Sequence, residues 1–265
     1  MNNDYTASYS VNQLTRLIKE LNNLNAGVPA DLLAEAAISD ELKILDARNE
    51  ATRMSAMEKL RNVPTDKFEE ELAKVQKTWT ETAALDRDGF TGHVATVRAN
   101  RLFRGLYDTR EGLFRGLADN MNQVVEHHRL NEHRLPGNIH EFNVMSATIQ
   151  DIEAINAFKA ATPTLNSLWN GYKRLSTQLG ESLAIDLDSS TTLDVVFTIG
   201  AVTDFYLADG MCAPLYAATQ NTTSTKNVSQ IAPWGILNLY GVAIDVKTPD
   251  EAQKLRNKVQ FGDAA

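Results

Sequence analysis

Apolar residues recur along the first two thirds of the chain at intervals of three and four, the spacing that gathers side chains on one face of a helix. Val11, Leu14, Ile18 and Leu21 make the first such stripe, Leu17 and Leu24 widen it, and Gly27-Val28-Pro29 ends it. A second runs from about Asp31 through Leu42, Leu45, Met54, Met57 and Leu60 to Pro64. In the third, Phe68, Leu72, Val75 and Trp79 form the face. Asp66 and Glu69 there have the spacing of a capping box, and Glu69, Glu70 and Glu71 suit the positive end of a helix dipole. Asp88-Gly89-Phe90-Thr91-Gly92 interrupts the pattern, and a long helix is predicted from about residue 93 to 134, closed by Pro136-Gly137. Two more are expected. One carries Phe142, Met145, Ile149 and Ile152 and ends before Pro163; the other carries Leu165, Leu168, Tyr172, Leu175 and Leu179 and ends at Gly180. Proline is expected between these helices, because a ring inside one removes a hydrogen bond and crowds the preceding turn.

The texture changes near residue 181. Residues 191–199 and 236–246 are rich in Val, Ile, Thr, Phe and Tyr, which predicts strands. Between them, residues 219–230 form a polar run expected to be an exposed loop. Thr248-Pro249-Asp250-Glu251 then predicts the start of a short terminal helix. The expected fold is mainly α. A multi-helix bundle or array occupies residues 1–180, and a small β-containing (α+β) unit follows over 181–265, with the boundary placed to within about ten residues.

Composition narrows the class. The chain has 265 residues, 43% of them hydrophobic, and one cysteine. That is ample for a packed core and leaves no intramolecular disulfide framework. The formal net charge of −8 is uneven: only 5 of the 26 basic residues, but 10 of the 34 acids, lie in residues 175–265. Such a balance argues against wholesale electrostatic binding of nucleic acid. The first ten residues carry no basic residue and no apolar run, which argues against a secretory signal, and no apolar stretch reaches the roughly 18 residues of a membrane span. Two glycosylation-like triplets begin at Asn221 and Asn227 and are read as chance matches. A cytoplasmic or intracellular protein, alone or incorporated into a particle, is expected, with no membrane partner.

Catalytic signatures fail: there is no phosphate-binding glycine loop, no nucleophile elbow and no zincin motif. Cys212 sits in an apolar setting without an adjacent base and reads as a buried hydrophobe. His127, His128, His133 and His140 cluster, and His128 with Glu132 could lie one helical turn apart as a ligand pair. The spacing matches no established metal motif, so a polar helix end is preferred, and whether these histidines bind metal stays open. Asp86-Arg87-Asp88-Gly89 and Asp186-Leu187-Asp188-Ser189 lack the ligand set of a calcium loop. No catalytic residue, metal or cofactor is assigned.

One helix stands apart. Leu-Phe-Arg-Gly-Leu occurs at 102–106 and again at 113–117, an offset of eleven residues. Both copies therefore face the same way. At about 100° per residue, Leu102, Leu106, Leu113 and Leu117 share an arc of about 60°, with Phe103, Tyr107 and Phe114 beside it. On the other flank Gly105, Gly112 and Gly116 line up, next to Arg98, Arg101, Arg104 and Arg115. Three glycines within a helix cost together about 2.5–3 kcal/mol against alanine. Either another backbone packs closely along the glycine line, or the helix breaks at Gly112. Asp108 and Glu111 can pair with Arg104 and Arg115 and reduce the positive field.

These readings point to a non-catalytic structural or adaptor subunit. It would act through protein partners or as a homo-oligomer in a larger assembly, a texture shared by subunits of virus and phage particles. Its contact elements would be the glycine–arginine helix (Arg98, Arg101, Arg104, Gly105, Gly112, Arg115, Gly116) and the loop at 219–230. A nucleic-acid-associated protein using the four arginines is the disfavoured alternative. An enzyme with a dispersed site that draws on the histidine cluster is the third.

Overall fold

The computed structural model describes residues 10–61, 63–83, 90–137, 139, 145, 147–180, 183, 190–219 and 230–262. The helices are α1 (Val11–Asn23), α2 (Ala30–Leu60), α3 (Phe68–Ala83), α4 (Phe90–His127), α5 (Ile149–Gln178), α6 (Ser190–Ile199), α7 (Phe205–Thr219), α8 (Trp234–Leu239) and α9 (Pro249–Phe261). A 3-10 turn, Thr65–Lys67, leads into α3. The chain divides into two compact units, one within residues 1–20 and 28–109 and the other within 21–27 and 110–265.

In the first unit the stripes of α1 and α4 are spent as expected. Leu14, Leu17 and Ile18 are buried, as are Ala99, Leu102 and Leu106, together with Leu32 and Ala36 of α2. α2 and α3 pack on each other, yet among the described residues of α3 Val75 alone is in the core. Ion pairs of Lys19 with Asp40 and of Arg98 with Glu35 join α1 and α4 to α2.

The second unit buries Leu113, Phe114, Leu117 and Met121 of α4 and Phe158, Leu165, Trp169 and Tyr172 of α5. Phe114 lies tilted on Tyr172 at 4.8 Å, and Trp169 meets Trp234 edge to face at 6.3 Å. The indole N–H of Trp234 donates to Asn166 Oδ1 at 2.9 Å. α6, α7 and α9 pack together beside this core. Capping boxes open α5 (Thr148 with Asp151) and α9 (Thr248 with Glu251), the latter with Pro249 in its first turn as the sequence predicts.

The predicted β-containing unit is not found, for no strand occurs among the described residues. Residues 191–199 lie in α6, which buries Thr192, Leu193, Val195, Val196, Phe197, Thr198 and Ile199. A segment buried nearly all round shows neither the two-residue nor the 3.6-residue period, so β-branched content alone misreads it. Its polar atoms are accommodated within the helix: Thr198 Oγ1 donates to the Asp194 carbonyl at 2.7 Å. The start of the second stretch lies in α8, and Gly241 (φ +71°) turns the chain into an extended segment at 242–248. That segment forms one isolated antiparallel bridge, Ile244 with Gly200.

The expectation for proline also fails. The two helices predicted around residues 142–179 are, over the described residues, one helix, and Pro163 lies inside it; Pro214 lies inside α7. Pro163 is on the exposed face, so the Lys159 carbonyl, deprived of its donor, points where water can reach it. Pro214 stands four residues after Gly210, whose Cβ position is open.

Candidate interaction surfaces

α4 runs unbroken through Gly105, Gly112 and Gly116, so the helix does not stop at Gly112. The three glycines face different surroundings. A Cβ on Gly116 would lie 2.4 Å from the Ala26 carbonyl oxygen, and one on Gly105 would lie 2.8 Å from Leu32 Cδ1. Nothing lies within 4 Å of the corresponding point at Gly112. On α5, a Cβ at Gly171 would sit 2.5 Å from Leu24 Cδ1. Gly116 and Gly171 thus make room for one tight turn at residues 24–27. Left-handed Asn25 (φ 53°) and Gly27 (φ 76°) shape that turn. Asn120 Nδ2 fastens it, donating to the carbonyls of Leu24 (2.9 Å) and Asn25 (3.1 Å).

The arginine stripe divides. Arg98 is paired with Glu35 and largely covered. Arg115 is paired with Glu251 at 2.9 Å and Glu111 at 3.2 Å, and these partners, the Glu251 hydrogen bond first, raise its already high pKa. The Glu251 carboxyl is held below its ordinary range, chiefly by the Thr248 backbone N–H, with Arg115 adding to the effect. Arg101 and Arg104 are exposed and have no ion-pair partner among the described residues. The aromatic stripe splits as well: Phe114 is buried, whereas Tyr107 is exposed and stacks on Phe103 at 6.5 Å.

No family model matches the chain, and no curated protein or solved structure resembles it significantly. The remaining candidates therefore stand on their own geometry. His127 and His128 meet edge to face at 5.0 Å, and the His133 carbonyl accepts from Asn238 Nδ2 at 2.8 Å. His140, both Asp-rich loops and residues 220–229 of the polar run lie outside the described residues. Among the described residues no group of three His, Cys, Asp or Glu side chains is placed to hold a metal ion. Cys212 is buried and its Sγ donates to the Ala208 carbonyl at 3.6 Å. Burial, with Asp209 adding to it, pushes the thiol up to about 11, away from nucleophilic use.

Sequence reasoning passed over a set of asparagines. The extended segment 242–248 offers its odd residues to the end of α6: Ala201 N donates to Ala243 O, Asp245 N to Ile199 O and Lys247 N to Thr198 O. The even residues Ile244 and Val246 are taken by side-chain amides. Asn131 pairs both main-chain groups of Ile244 (2.9 and 2.8 Å), and Asn122 pairs both of Val246 (2.9 and 2.8 Å). Asn238 reaches the carbonyls of Leu130 and His133 and accepts from Leu135 N. These amides stand where a neighbouring strand would be. The available signal was weak: Asn120 and Asn122 are poor helix formers inside a helix, a cost that needs a reason.

Proposed function

We propose that this chain is a non-catalytic structural or adaptor subunit that acts through protein–protein contacts in a larger assembly, as a homo-oligomer or with protein partners. The observation that supports this reading is the apolar surface left open on α2 and α3. Met54, Met57, Phe68 and Trp79 are 64%, 47%, 42% and 44% exposed. At about 100° per residue, Met54 and Met57 share one side of α2, and Phe68, Leu72 and Trp79 share an arc of about 40° on α3. The Arg53 guanidinium lies 5.9 Å from the Trp79 ring centre and ties the two helices at that edge. Burying a side chain of this size stabilises by about 1.5–3 kcal/mol, and open apolar groups on adjoining helices suit an interface. A virus or phage particle is one setting for such a subunit.

Light scattering on the purified chain tests the reading. A defined multimer is expected, reduced to the single-chain mass by Met57→Glu with Trp79→Glu while helix content is kept. A wild-type chain that is monomeric at its highest soluble concentration, with both substitutions silent, would sink it. The exposed pair Arg101 and Arg104 favours a second reading, nucleic-acid association. It predicts binding that weakens steeply with salt, and a log–log salt slope shallower by about two in Arg101→Glu with Arg104→Glu.

A further inference from the structure

Four residues of α2 form one line on its outer side: Glu50, Met54, Met57 and Arg61. At about 100° per residue they fall within an arc of about 60°. Arg61 caps the helix with helical angles (φ −63°, ψ −27°), so it continues the line. All four are exposed, and neither Glu50 nor Arg61 has an ion-pair partner among the described residues. On α3, Phe68 and Trp79 are exposed and Leu72 is half-buried. The two helices turn Arg53, Ala56 and Leu60 of α2 and Val75 and Thr78 of α3 away from solvent. From those sides Met57 and Trp79 are each displaced by about 70° in the same sense along the sequence. Antiparallel helices bring such residues out on one face of the hairpin. That face is apolar, with an acid at one end of its α2 edge and a base at the other.

We propose that this face binds the same face of a second copy of the chain in antiparallel fashion, α2 along α2 and α3 along α3, as a four-helix bundle. The inference rests on the assembly reading above and names its partner and register. Charge complementarity selects a copy of this chain. When the line on α2 is laid against itself in reverse, the register that sets Met54 on Met57 of the copy also sets Glu50 on Arg61 of the copy, twice by symmetry. Neighbouring registers are penalised. Met54 on Met54 brings Glu50 opposite Glu58, and Met57 on Met57 brings Arg61 opposite Arg53. Parallel pairing sets Glu50 on Glu50 and Arg61 on Arg61. On α3 the corresponding reversal sets Phe68 on Trp79 and Leu72 on Val75. The midpoints of the two registers lie about equally far from the turn that joins the helices, about nine residues on either side, so one two-fold axis serves both. Apolar contact supplies the affinity, and the exposed ion pairs fix the register. The hairpin face measures about 24 Å by 20 Å, or roughly 1,000 Å² over both copies. That is the low end for a specific interface, and a micromolar dissociation constant is expected.

Sedimentation equilibrium of the full chain across micromolar concentrations tests the pairing. The wild type should dimerise, and Glu50→Arg and Arg61→Glu should each weaken the dimer at least about tenfold, because each places two like-charged pairs in it. Both substitutions in one chain should restore the affinity to within about threefold of wild type. An equimolar mixture of the two single variants should form the mixed dimer in preference to either self-dimer, since both of its pairs are again opposite in sign. These penalties should shrink as salt is raised. Circular dichroism should not change, both positions being exposed. Under oxidation, Glu50→Cys mixed with Arg61→Cys should give a disulfide-linked dimer, whereas neither should link to itself, because equal positions lie roughly 16 Å apart along the antiparallel helices. Single variants that dimerise like the wild type, a doubly substituted chain as weak as the single ones, or Glu50→Cys linking to itself would overturn the proposal. If Met57→Glu with Trp79→Glu dissolves the multimer while the charge exchanges do nothing, the assembly surface stands and this pairing falls. A wild-type chain that stays monomeric sinks both.

Discussion

Gly112 and Gly116 lie one turn apart on α4 and carry opposite expectations. At Gly116 a methyl group would meet the Ala26 main chain, which has no rotamer with which to yield. Gly116→Ala should therefore destabilise by about 1–3 kcal/mol through overpacking against the 24–27 turn. Gly112→Ala meets open space and should stabilise by about 1 kcal/mol, the helix propensity difference. Urea unfolding midpoints that move in opposite directions would bear this out. Cys212 makes a second residue-scale prediction. With its pKa raised from 9.0 to about 11, the thiol's contribution to stability is present below about pH 9 and is lost as pH rises through 11. At pH 8 only roughly a thousandth of the folded thiol is ionised, so alkylation by iodoacetamide should be far slower in the native chain than in urea.

At the scale of elements, the notable device is an extended segment held without a sheet. Backbone from the end of α6 satisfies one edge of residues 242–248, and Asn131 and Asn122 satisfy the other. Removing either amide leaves two main-chain groups without partners. Asn122→Ala and Asn131→Ala should each cost about 2–3 kcal/mol. The sharper readout is hydrogen exchange: the Val246 amide should exchange faster in Asn122→Ala and the Ile244 amide in Asn131→Ala, with the other protected as before. Equal exchange in wild type and variants would show that the amides are incidental. The same arrangement explains why strand-forming residues here build no sheet. A side-chain amide can end a ladder, but it offers no further edge to a third strand.

Across the whole chain, charge is unevenly spread. Four-fifths of the basic residues precede residue 175. Of the four arginines on α4 that the sequence singles out, two are held in ion pairs. Association driven by Met54, Met57, Phe68 and Trp79 should persist when salt is raised, since apolar contacts are not screened. An arginine-driven complex should dissociate under the same change. A multimer whose mass is constant from low to high salt, and which Met57→Glu with Trp79→Glu dissolves, is the expected result. No helix among the described residues is long and apolar enough to cross a membrane.

Periodicity alone placed α1, α2, α3 and α4, because an apolar stripe at helical spacing marks a helix; Leu102, Leu106, Leu113 and Leu117 are buried as such a stripe suggests, whereas Met54, Met57, Phe68 and Trp79 of the α2 and α3 stripes stay exposed. The start of α9 was equally legible, since capping and a first-turn proline act over four adjacent residues. Three features were not accessible to such local rules. α6 is apolar on nearly every side, so its period carries no information until its neighbours surround it. Pro163 is tolerated because its turn faces solvent, a property of position in the packed unit rather than of residue type. Asn122 of α4 and Asn131 just beyond its end acquire their roles from a segment more than a hundred residues away in sequence. Local patterning records which face of an element is apolar; whether that face is covered, and by which distant backbone or side chain, is set when the elements pack.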